Sequence, residues 1–109
     1  NPKQPEGANM ISIVAKIRVR KEFTDAMAEA LADVVRYVEA NEPGTVSYYV
    51  CQCETEPGLF FTYERYDSRD AMDIHNSSDA VAGWIAKAQP MLIGGVEVHS
   101  CDEIAAMNR

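Results

Sequence analysis

Positive charge is scarce in this chain. Ten Lys and Arg stand against seventeen Asp and Glu, giving a formal net charge of -7, and no basic cluster interrupts the excess. A surface of that sign repels phosphate backbones and anionic lipid, which argues against nucleic acid and membrane surfaces as partners. No apolar run approaches the ~20 residues of a membrane span, and the opening NPKQPEGAN lacks the apolar stretch of a signal peptide. A soluble, cytoplasmic domain is therefore predicted. Cysteine is limited to Cys51, Cys53 and Cys101; the first two lie two apart on one predicted strand, cannot easily bridge, and read as buried thiols in a reducing compartment. His75 and His99 are too far apart, without a third ligand at metal spacing, to predict a metal site. Gly94-Gly95 lacks the spacing of a phosphate loop or dinucleotide fingerprint, so no nucleotide or flavin cofactor is expected.

What is present suits one small domain: 109 residues, 47% of them hydrophobic. Residues 1–9 carry two prolines and no pattern and read as an extension, residues 10–101 as the domain, and residues 102–109 as a tail with little to hold it. From Met10, Ile11, Ile13, Ala15, Ile17 and Val19 alternate with Ser12, Lys16 and Arg18, the signature of a strand. Phe23, Met27, Leu31, Val34 and Val38 then recur at helical spacing, and Pro43-Gly44 ends that helix. TVSYYVCQCE and LFFTYERY form a predicted hairpin about Glu56-Pro57-Gly58. Asp67 or Ser68 caps a short helix, Ser77 or Ser78 caps another that Pro90 helps stop, and VEVHSC is a last strand. The order β-α-β-β-α-β predicts an α+β ferredoxin-like sandwich, an antiparallel sheet with helices on one face.

Parity then divides the third strand. Leu59, Phe61, Tyr63 and Arg65 share one face, and the apolar ones predict that this face meets a second copy, with coverage by a terminal tail as the alternative. Phe60, Thr62, Glu64 and Tyr66 point at the helices. A glutamate there needs a partner, and His75, near the end of the following helix, is the candidate. The chemical reading makes His75 a general base, Glu64 the group that orients it and Tyr66 a hydrogen-bond donor to a substrate oxygen. Phe60, Thr62, Met72 and Trp84 then line a pocket for a flat ligand. The structural alternative pairs Glu64 with Arg65 or Lys87 at the surface and leaves Tyr66 in the core.

The opening MISIVAKIRVR, the turn EPGTVSYYV, the block FTYERYDSRDAMDIHNSS and the closing strand resemble the antibiotic biosynthesis monooxygenase superfamily over residues 10–101. The resemblance implies a dimeric α+β barrel formed through the sheets, with a pocket in each subunit. It also implies cofactor-independent oxidation of a small aromatic, quinol- or anthrone-type compound by molecular oxygen. Ala15, Tyr66 and Ile85 stand where the haem-degrading members carry asparagine, tryptophan and an iron-binding histidine. Thr62, Tyr66 and Met72 fall near the asparagine, tryptophan and tyrosine of the anthrone oxygenases. The quinol monooxygenase and isomerase members are similar at Glu64 and His75, so a cofactor-free isomerase using the same pair, or a non-catalytic small-molecule binder, is the alternative.

Overall fold

In the computed structural model, which describes residues 10–109, the alternating opening forms strand β1 (Ile11–Arg18) with Ile11, Ile13, Ala15 and Ile17 buried on one face. The predicted extension, residues 1–9, lies outside the described residues. A 3-10 turn (Lys21–Phe23) leads into helix α1 (Thr24–Asn41), whose buried Met27, Ala30, Leu31, Val34 and Val38 form one apolar stripe. Strands β2 (Thr45–Gln52) and β3 (Leu59–Tyr66) pair as the predicted antiparallel hairpin. Helix α2 (Arg69–Asn76) starts at Ser68, whose Oγ accepts from the Ala71 N–H at 3.1 Å; helix α3 (Asp79–Ala88) starts at Ser78 in the same way, through Val81 N–H at 3.2 Å. Strand β4 (Glu97–Asp102) completes an antiparallel sheet of order β2-β3-β1-β4. This is the ferredoxin-like arrangement expected from the element order.

Beneath the helices the core divides in two. Ile17, Val19, Met27, Leu31, Phe60 and Met91 pack at one end of β1, while Ile11, Ile13, Tyr66, Ala71 and Met72 pack at the other. Ala15 lies between them, and its cross-strand partners are Thr62 on β3 and Val98 on β4, with Val50 beyond Thr62 on β2. A row of small side chains thus crosses the middle of the sheet where larger ones fill both ends. No helix packs substantially over β4, and Val98 is 57% exposed although it faces the helical side.

On the opposite sheet face Val14, Tyr49, Phe61 and Tyr63 are each more than a third exposed, and the Tyr49 and Tyr63 rings stack with centroids 6.3 Å apart. Leu59, which parity assigns to this face, is instead buried at the hairpin end. Two further expectations are corrected. Cys51 and Cys101 are exposed, not buried, because they point outward from the two edge strands β2 and β4, and all three thiols are free.

The segment after β4 is also held at its start. Glu103 accepts from Arg65 Nε at 2.8 Å and Nη2 at 2.9 Å, from Tyr63 Oη at 3.2 Å, and from the Ser12 hydroxyl. This bidentate guanidinium pair lies across the sheet surface and buries Ser12. The exposed tail begins only at Ile104. The Arg65 hydrogen bonds hold the Glu103 carboxyl down at about 2, against an ordinary 4.5. Its folded value lies below its unfolded one, so this stabilisation is complete above pH 4.5 and is lost as the pH falls toward 2. Glu103→Gln is expected to lower stability at pH 7 and to flatten its acid dependence in that window, measured by urea unfolding at pH 7 and pH 3.

Candidate active site

The end of α1 sets the geometry of the site. Glu42 is its C-cap, with its N–H bonded to the Val38 carbonyl at 2.9 Å, so a carboxylate stands at the negative end of an 18-residue helix. Pro43-Gly44 then turns the chain into β2. A Cβ on Gly44 would lie 2.7 Å from the Cβ of Ala71, so the glycine is what lets α2 approach this turn closely. His75, in the last turn of α2, is thereby carried against Glu42.

The contacts define a buried cluster. His75 Nδ1 lies 2.9 Å from Glu42 Oε1, and His75 Nε2 lies 3.6 Å from Glu64 Oε1. His75, Glu64 and Glu42 are 3%, 5% and 6% exposed. Glu64 accepts from Tyr66 Oη at 2.5 Å and from Thr62 Oγ1 at 2.7 Å, while Glu42 Oε1 also accepts from Thr45 Oγ1 at 3.1 Å. Two rings flank the imidazole, Tyr48 at 5.3 Å and Tyr66 at 5.6 Å between centroids. Burial, followed by the charge of Glu64, pushes the ionisation of both phenols well above the ordinary tyrosine range. Both therefore remain hydrogen-bond donors at neutral pH.

The cluster forms the polar end of a cavity of about 610 Å³ between the sheet and α1 and α3. Its floor is the small-residue row, with Ala15, Thr62 and Val98 on the wall, and its roof includes Leu31, Val34, Val81, Trp84 and Ile85. Tyr48, Glu64 and His75 reach this wall; among the described residues no Lys or Arg does. Such a volume and balance of polar and apolar groups are those of a small-molecule site.

The residues singled out in the sequence separate here into two sets. Glu64, His75, Thr62 and Trp84 are on the cavity wall. Phe60, Met72 and Tyr66 are not: Phe60 and Met72 are core residues at opposite ends of β1, and Tyr66 is fully buried with its hydroxyl given to Glu64. Direct contact of Tyr66 with a substrate oxygen does not fit this placement, because the hydroxyl is used inside the protein. Nor does Glu64 pair with Arg65 or Lys87; Arg65 projects to the other face and binds Glu103.

Two residues escaped the sequence reading. Tyr48 is the phenol on the cavity wall, and it was hidden because a strand with tyrosine at adjacent positions gives no clue to which one faces inward. Glu42 had a signal, an acid at a helix C-terminus before Pro-Gly, where the dipole disfavours it. Among the described residues no three His, Cys, Asp or Glu side chains converge as metal ligands would.

Fold and site together define an α+β domain whose one-sided helical layer encloses an acid-base cluster over the sheet. The chain belongs to the antibiotic biosynthesis monooxygenase family, which residues 10–87 match. A protein of Caulobacter crescentus CB15, provisionally named an antibiotic biosynthesis monooxygenase, is similar at 27% identity and a TM-score of 0.83, over 91% of this chain and 93% of that one. Rv0793 from Mycobacterium tuberculosis has the same fold at 22% identity and a TM-score of 0.83, over 91% of this chain and 99% of its own. So does a provisionally named family member from Nitrosomonas europaea, at 18% identity and a TM-score of 0.84, with 93% and 96% covered. No curated protein matches the chain.

The small-residue row makes the cavity testable. Ala15→Leu is expected to leave the fold intact at a cost of about 1–3 kcal/mol or less. It should weaken binding of a small apolar fluorescent probe by about tenfold or more, equivalent to ~1.4 kcal/mol, in a fluorescence titration. Unchanged binding would place the ligand elsewhere.

Proposed function

We propose that the domain is a cofactor-independent monooxygenase acting on a small aromatic compound of quinol or anthrone type. Family membership supports a monooxygenase-type function. The observation that carries the finer reading is the imidazole of His75 set between two carboxylates at one end of a cavity whose remaining wall is mainly apolar.

Triplet oxygen does not react directly with a closed-shell phenol, whereas the deprotonated compound is electron-rich enough to give up an electron. The protein must then supply a base, a donor for the resulting anion and a dry pocket. His75 Nε2 takes the proton, so that a substrate O–H or acidic C–H bond breaks and an N–H bond forms. Tyr48, held protonated, donates to the anion. The anion passes one electron to oxygen, the two radicals combine at carbon to a peroxide that takes the proton from His75, and loss of the remaining proton from that carbon breaks the O–O bond as hydroxide leaves and joins that proton as water. One oxygen atom stays as a carbonyl and the other leaves as water, and the substrate itself supplies all four electrons.

That no Lys or Arg among the described residues lines the cavity bears on the isomerase alternative. A phosphorylated substrate brings at least one negative charge that two nearby glutamates repel and no cation on this wall offsets. A neutral aromatic body with an ionisable hydroxyl matches the wall better. Three free thiols fit the reducing cytoplasm, which we take as the setting.

Oxygen uptake by chelator-treated protein with hydroquinones, naphthols or anthrones is expected, and His75→Ala should slow it by ~10²-fold or more. Turnover under nitrogen would instead favour the isomerase. The proposal also includes a homodimer through the exposed sheet face of Val14, Tyr49, Phe61 and Tyr63, an apolar patch that a second copy would cover. Light scattering should give twice the monomer mass, reduced to the monomer by Phe61→Glu; a monomeric wild type would sink this part.

A further inference from the structure

We propose that Glu42 is the positioning residue of the site: it accepts the Nδ1 proton of His75 and so leaves Nε2 as the proton-accepting nitrogen. The inference rests on the reading of His75 as the base, and it identifies which of its two nitrogens acts and what enforces that choice.

Distance decides between the two carboxylates. At 2.9 Å the Nδ1 contact to Glu42 is a hydrogen bond, whereas the 3.6 Å separation of Nε2 from Glu64 exceeds one. Each Glu64 oxygen already accepts one hydrogen bond, from Tyr66 and from Thr62, whereas among the described residues Glu42 accepts only from Thr45 besides His75. A neutral imidazole has one N–H to give, and the geometry directs it to Glu42. Every charged or titratable group against the ring is then accounted for: Glu42 from the end of α1, Tyr48 from β2, and Glu64 and Tyr66 from β3. Both phenols donate, so neither competes for the imidazole proton as an acceptor of equal strength.

Glu42 has no other evident reason to be where it is. It is buried, it sits at the wrong end of a helix dipole, and its Oε2 has no hydrogen-bond partner among the described residues. Its only ion-pair partner among the described residues is His75. A carboxylate so placed costs stability unless the group it faces becomes positive. That happens when His75 takes the substrate proton: the imidazolium then forms against Glu42 on one side and near Glu64 on the other. Glu42 does not reach the cavity wall, so it acts through His75 and not on the substrate.

The test needs no substrate. Nitrogen-15 spectra of the intact protein with labelled histidine, assigned by comparison with His75→Ala, report which nitrogen of neutral His75 carries hydrogen. Wild type should show Nδ1–H. Glu42→Leu, verified as folded by a thermal scan, should change the ratio of the two tautomers by about tenfold or more, the equivalent of losing one charge-assisted hydrogen bond. Glu64→Gln should leave it unchanged. A proton on Nε2 in the wild type overturns the proposal even if Glu42→Leu fails to fold, and so does an unaltered ratio in a folded Glu42→Leu. Nδ1–H under Glu42 control in a protein that consumes no oxygen would sink the oxygenase reading alone.

Discussion

The contact between His75 and Glu42 ties together two helix ends that are distant along the chain. It joins the end of α1 to the end of α2, thirty-three residues apart, beneath the β2–β3 hairpin. Both side chains are almost wholly buried, where a lone carboxylate is expensive and an imidazole between two of them is a means of compensation. The rest of the site follows from keeping that arrangement satisfied. Gly44 permits the approach of α2, Thr45 supplies a second donor to Glu42, and Tyr66 and Thr62 hold Glu64. Polar groups buried in this way favour one geometry, because each has few alternative partners.

The cavity has a different origin. It exists because the two ends of β1 carry isoleucines and valine that fill the space under the helices while its middle carries Ala15. The neighbours of Ala15 across the sheet are equally short, and the helical layer stops before β4. Missing volume, more than any added feature, makes room for a ligand beside the acid-base cluster. The opposite face of the same sheet is organised by charge at one end, where Arg65 and Glu103 meet, and by exposed aromatic surface elsewhere.

Much of this was legible in the residues. Alternation in β1, the helical stripe of α1, the hairpin turn and the serine caps are local signals with period two, period 3.6 or a fixed offset, and they reappear in the structure at those positions. Strand parity and helix position put Glu64 and His75 on the helical side of the sheet, but the expected bond between them is replaced: Glu64 accepts from Tyr66 and Thr62, and His75 meets Glu42. Phe60 and Met72 were misplaced because an inward-facing position does not say whether a side chain meets a cavity or a packed core; that depends on the volume of every neighbour. The cysteines were misjudged for a related reason. Strand identity was evident, but whether the strand lies at an edge and which face is uncovered depends on sheet order.

The sequence by itself determined the element order, the buried faces of β1, α1 and β3 and so the ferredoxin-like topology, because those follow from backbone periodicity and local turn chemistry. Only the tertiary structure decided that Glu42 stands behind His75, that Tyr48 and not Tyr66 reaches the cavity, and that Glu103 closes onto Arg65. The first and last join residues distant along the chain through contacts of about 3 Å, and the second depends on which side of the sheet β2 presents. Spacing along the backbone carries no information about such contacts until the sheet is assembled and the helices are laid across it.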